Sequence, residues 1–161
     1  MKRLVGILTA LLLITACDDG DLTVDTIDFS EVNAQKCSSK DVIYKVKDSE
    51  MLILAIPAST FINDETPEGD PIEVNISSSV EVIYRQYNGD ASADNICPTI
   101  PSATPNLLEE WNAVAGTVQI TTTAVKTVNA TTGITQITGY KHFIVFKDIT
   151  FQKPNGTQVY E

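Results

Sequence analysis

His142 is the only histidine in the chain, and so the first residue to question for acid–base chemistry. A catalytic triad needs a nucleophile and an orienting carboxylate gathered round it in space, which sequence alone does not show. Between Lys141 and Phe143 the expectation is a strand histidine, packed or hydrogen-bonded at the sheet surface. Glu109 and Glu110 are adjacent carboxylates, but on a helix, neighbours point about 100° apart and do not flank one bond together. No phosphate loop, HExxH zinc signature or GxSxG elbow is present, so no catalytic residue is assigned. The segment 63–70 (NDETPEGD) is the richest in oxygen ligands, and calcium wants about six to eight of them. It lacks EF-hand spacing. A solvated loop is the main expectation, with Asp64, Glu65, Glu68 and Asp70 as weak calcium candidates and no other cofactor. Trp111, Tyr84 and Tyr87 offer faces on which a sugar stacks, although the spacing of Trp111 to Leu107, Leu108 and Val114 predicts core packing under a helix.

The strongest instruction lies at the N-terminus. Lys2 and Arg3 precede an apolar run over residues 4–14, and Thr15 and Ala16 are small residues leading into Cys17. The run is too short to span a bilayer, which needs about 20 apolar residues. Ile14-Thr15-Ala16-Cys17 resembles the bacterial lipobox. That resemblance implies removal of residues 1–16, a diacylglycerol thioether on Cys17 and acylation of its new amino group. The alternative is an ordinary cleaved signal peptide with a cysteine after it. Asp18, Asp19 and Asp21 resemble the export tag of Bacteroidetes surface lipoproteins, which implies display outside the outer membrane. In enteric bacteria an Asp in the place of Asp18 implies instead retention at the inner membrane, facing the periplasm.

Once Cys17 is lipidated, Cys37 and Cys97 are the remaining thiols, in an oxidising compartment, and a disulfide is expected. It closes a loop of about 60 residues, for which the chain-entropy model gives about 4 kcal/mol. Losing Lys2 and Arg3 makes the formal net charge of −10 more negative still, which argues against nucleic acid and against electrostatic adhesion to anionic lipid. The lipid would do the anchoring.

Residues 22–161 are read as one domain. Alternation over 22–29 predicts a strand or a tether that becomes one; 41–47, 51–56, 72–76 and 80–87 predict strands, with 51–56 central and the next two wet on one face. Pro105, Asn106 and Glu109 predict a short helix that Gly116 closes. Residues 117–128, almost wholly β-branched, turn at 129–133 and return over 134–151, broken at Gly139, and Pro154-Asn155-Gly156 predicts a hairpin into 157–160. Many short strands without a βαβ rhythm mean an all-β antiparallel sandwich, Ig-like or jelly-roll-like, with one short helix, or alternatively a β-barrel.

The segment 139–151 (GYKHFIVFKDITF), with the acidic opening, is similar to uncharacterised lipoproteins of the same bacterial group. That family implies no activity. The expected role is therefore non-catalytic: a membrane-anchored, cell-surface module that binds a glycan or protein, or alternatively a periplasm-facing envelope accessory or inhibitor. A hydrolase built from scattered acids would need a deep cleft lined by two carboxylates.

Overall fold

The computed structural model describes residues 27–156 and the backbone of residues 159–160. The apolar run 4–14, Cys17, the acidic tag and the first part of the 22–29 segment lie outside them. Ile27 and Phe29 enter no ladder.

The all-β reading is met by a single antiparallel sheet that curls into a half-barrel. Its strands are β1 (Gln35–Lys36), β2 (Val42–Lys47), β3 (Glu50–Ala55), β4 (Ile72–Asn75), β5 (Glu81–Tyr87), β6 (Leu107–Val128), β7 (Thr135–Gln152) and β8 (Val159–Tyr160). They join in the order β1-β2-β3-β5-β6-β7-β8, with β4 also on β6. β3 is central, as its two-faced apolarity requires. β4 and β5 run end to end along β6, which changes partner near Gly116: its first part pairs with β5 and its second with β4.

The expected helix after Pro105 is overturned, because residues 107–128 form one long strand. Leu107, Leu108 and Val114, the apolar side of that helix, are exposed, whereas Trp111 is buried against the sheet interior. β5 pairs with residues 107–112 and β7 with β6 from Asn112 onward, a tertiary gain that outweighs a local capping pattern. Gly139 does not break β7; it lies in the ladder opposite Val125, beside a register shift.

Bulges supply the curl. Register shifts flank Ala115, where Gly116 has φ of 118° and Asp148 on β7 has φ of 53°. A Cβ on Gly116 would stand 2.7 Å from the Asp148 carbonyl oxygen and 2.8 Å from Ile149 Cα. Only glycine lets the two backbones approach so closely at that dihedral.

The sheet packs on both faces. Inside the curl, Leu54, Val82, Tyr84, Trp111, Val118, Ile120 and Phe151 form the larger core, with Phe29 from the N-terminal segment set edge-on to Tyr84. Outside it, Tyr44, Met51, Ile53 and Tyr87 pack under Ile96 and the Cys37–Cys97 disulfide, whose Cα atoms are 5.4 Å apart. Lys40 clasps the same segment by donating to the carbonyls of Ile96 (2.9 Å) and Pro98 (2.8 Å). The expected disulfide is present, and the expected wet face of β5 is instead partly covered by this second core.

Candidate functional site

Because the half-barrel is open, β2 and β3 approach β7 across a seam without pairing to it. Segment 27–34 lies at part of that seam: Lys45 and Lys47 donate to the carbonyls of Phe29 (2.7 Å) and Asp28 (3.1 Å). What stays open is an apolar chamber of about 200 Å³ lined by Ile43, Lys45, Leu52, Leu54, Ile144 and Phe146. It is continuous, through Ala34, Ile43, His142 and Ile144, with an outer basin of about 450 Å³ that adds Lys36, Phe61 and Asn63. The period of two explains the lining: Leu52 and Leu54 on β3, and His142, Ile144 and Phe146 on β7, are the inward residues of their strands.

His142 sits where the two volumes meet. Its Nδ1 is 2.8 Å from the hydroxyl of Thr122, its register partner on β6, and its ring meets Phe61 edge-on at 5.2 Å. Among the described residues no hydrogen bond engages Nε2. A hydroxyl beside an imidazole is the start of a nucleophile–base pair, but Thr122 is only 1% exposed and its N–H is spent on the Thr66 hydroxyl at 3.0 Å. Burial keeps a substrate carbonyl from that oxygen, and among the described residues no carboxylate accepts from the imidazole. The pair fixes the ring and leaves its other nitrogen for a ligand.

A second polar cluster lies at the Glu50 end of β3. Tyr84 donates to Glu50 at 2.5 Å, and burial together with this carboxylate pushes the phenol above its ordinary range. Lys153 pairs with Glu109 at 3.0 Å and lies 5.1 Å from the centre of the Trp111 ring. Trp111 Nε1 is buried with no hydrogen-bond partner among the described residues. Each carboxylate here is tied to a named donor.

The structure separates most of the residues singled out in the sequence. Glu109 and Glu110 are neighbours on a strand and so point to opposite faces, Glu109 to Lys153 and Glu110 to Arg85 at 2.7 Å; they do not face one bond, for a reason other than helical spacing. Trp111 and Tyr84 share the inner core while Tyr87 belongs to the outer one, which rules out a common stacking platform. In the acidic loop, Glu65 takes two contacts of 3.1 Å from Lys126, which hold its carboxyl below the usual range, and Asp64 accepts the N–H of Glu65. Asp64, Glu65, Glu68 and Asp70 do not converge: no group of three or more metal-ligating side chains occurs among the described residues. Lys36, Lys45 and the seam itself carry no sequence signal, because the groove exists only after residues some ninety positions apart are brought together by the curl.

No protein-family model, no curated protein and no solved structure matches the chain.

Proposed function

We propose that this chain is a lipid-anchored envelope protein, displayed outside the outer membrane, which works by binding a ligand in the seam groove and carries out no reaction. The anchor reading rests on the lipobox-like residues ending in Cys17, and the address on Asp18, Asp19 and Asp21, all outside the described residues. Two or three acyl chains hold a protein on a membrane stably, since each buried methylene contributes about 0.8 kcal/mol. The observation that carries the binding half is the groove: an apolar floor, a hydrogen-bonding imidazole at its mouth and no trapped nucleophile that a substrate can reach.

Metabolic labelling with a radioactive fatty acid should mark the wild type and leave Cys17→Ser unlabelled. On whole cells, added protease should remove the wild-type protein, and replacing Asp18, Asp19 and Asp21 together with Ala should leave labelling intact and make the protein protease-protected. Protection of the wild type would favour the second reading, a periplasm-facing accessory, for which Asp18 beside the lipidated residue is the supporting feature. Labelling of Cys17→Ser would remove the anchor from both.

A further inference from the structure

The groove has a chemical polarity that specifies a class of ligand, and the assignment rests on the binding role proposed above. Its inner end is built from aliphatic and aromatic side chains on β2, β3 and β7, closed at the back by the core itself. Its outer end carries Lys36, Asn63 and the imidazole of His142, and Lys45 stands in the inner wall. Among the described residues no Asp or Glu lines either volume, on a chain with 21 acids against 11 bases. An apolar slot with a cationic, hydrogen-bonding mouth on a strongly acidic protein is selective: the remaining surface repels anions, and this opening does not.

We propose that the seam groove binds an amphiphile with a single carboxylate head and a short aliphatic or aromatic tail. The tail lies along Ile43, Leu52, Leu54, Ile144 and Phe146, and the carboxylate sits in the basin between Lys36 and His142. Size agrees, because an apolar cavity of about 150 Å³ already takes up benzene and this chamber is somewhat larger. A carboxylate accepts several hydrogen bonds at once, and the donors are at hand: the ammonium of Lys36, the amide of Asn63 and the Nε2–H of His142 in the tautomer where Thr122 donates to Nδ1. Lys45 donates one of its three protons to the Phe29 carbonyl and keeps two, so it can follow the head if the tail is shorter. A glycan would meet a greasy floor with too few hydrogen-bonding groups, which leaves its hydroxyls unpaired.

The test is calorimetric titration of the purified chain produced without residues 1–17, which carries no acyl chains and so needs no detergent, itself an amphiphile, with octanoate, octan-1-ol, octylamine and hexanoate. Octanoate should bind about tenfold more tightly than octan-1-ol, the worth of a charge-assisted hydrogen bond, and octylamine more weakly still. Hexanoate, two methylenes shorter, should bind about fifteenfold more weakly than octanoate. Two exposed rim positions allow variants that spare the core. Ala34→Trp should abolish binding of every octyl compound by filling the entrance, and Lys36→Glu should weaken octanoate about tenfold while leaving octan-1-ol unchanged. Equal binding of all three octyl compounds, still blocked by Ala34→Trp, would overturn the carboxylate assignment and leave the groove as a binding site. Absence of any octanoate binding at millimolar concentration, or octanoate binding indifferent to Ala34→Trp, would overturn the inference outright; the anchoring and display proposed above stand or fall separately, on labelling and shaving.

Discussion

Thr122 and His142 face each other across β6 and β7, and the 2.8 Å contact between Oγ1 and Nδ1 joins a hydroxyl of the inner core to the one imidazole at the groove mouth. Thr122 is itself held from behind, its N–H donating to the Thr66 hydroxyl and its carbonyl accepting the Thr66 N–H at 3.1 Å. The ring orientation is therefore set by backbone geometry in three separate segments, 63–66, β6 and β7. A histidine at a sheet surface without such a partner would sample several rotamers.

Replacing that hydroxyl tests the arrangement. Thr122→Val keeps the shape of the side chain and removes the bond, and should destabilise the fold by about 1 kcal/mol. It should also change the tautomer balance of His142, which the nitrogen chemical shifts of its imidazole report directly. Thr122→Ser, which keeps the hydroxyl, should restore the wild-type shifts. Unchanged shifts in Thr122→Val would mean that the contact does not orient the ring.

How much of this was legible in the sequence depends on the distance over which the cause acts. The strands β2, β3, β4 and β5 and the long hairpin β6–β7 follow from alternation, since Val42, Tyr44 and Val46 or Val118 and Ile120 mark a face wherever the rest of the sheet lies. The region around Trp111 misled because Pro105, Asn106 and Glu109 imitate a helix start, while the evidence for a strand sits in β5 and β7, far along the chain. Cys37 and Cys97 were legible as a pair because few thiols remained. The groove was not legible: Leu52 and Ile144 are each an unremarkable inward residue, and they line one chamber only because bulges at Gly116 and Asp148 curl the sheet. His142 was visible as a residue, whereas Thr122, which contacts its ring, and Lys36 and Lys45, which line the same groove, had nothing to distinguish them.

Gly116 sits where the bulged backbones of β6 and β7 approach closely, which gives a sharp pair of variants. Gly116→Ala places a Cβ 2.8 Å or less from the backbone of residues 148 and 149 at a φ of 118°, and should cost about 2 to 3 kcal/mol. Gly133→Ala, at a φ of 71° with nothing within 4 Å, should cost about 1 kcal/mol, the dihedral penalty alone. Thermal melts should separate them, at roughly 2 to 4 °C per kcal/mol for a chain of this size. Equal losses would mean that the contact with β7 relaxes freely.

The disulfide staples the outer core to β1 and closes a loop with a sequence separation of 60 residues. Replacing Cys37 and Cys97 together with Ala should lower the folding free energy by about 4 kcal/mol on the chain-entropy model. The loss should fall mainly on the segment around Ile96, whose amide protons should exchange faster than those of β6 in hydrogen-exchange measurements. A double variant as stable as the wild type would show that Lys40 and the packing of Ile96 hold this segment without the bond.

Tyr84 makes stability depend on alkaline pH. Burial and the Glu50 carboxylate both favour its neutral form, so its folded pKa lies above the unfolded value of 10.0. A group whose pKa is raised on folding contributes stability that is fully present below the unfolded pKa; above it the unfolded chain loses the proton while the folded chain keeps it, and stability falls as pH climbs. Urea titrations between about pH 8 and pH 11 should therefore show the wild type weakening once the pH passes about 10. Tyr84→Phe should cost about 1 kcal/mol at pH 8, where it removes the hydrogen bond to Glu50, and should lose less stability than the wild type between pH 9 and pH 11. Parallel curves for the two proteins would show that the phenol titrates alike in the folded and unfolded chains, and that Glu50 takes its hydrogen bond without desolvating it.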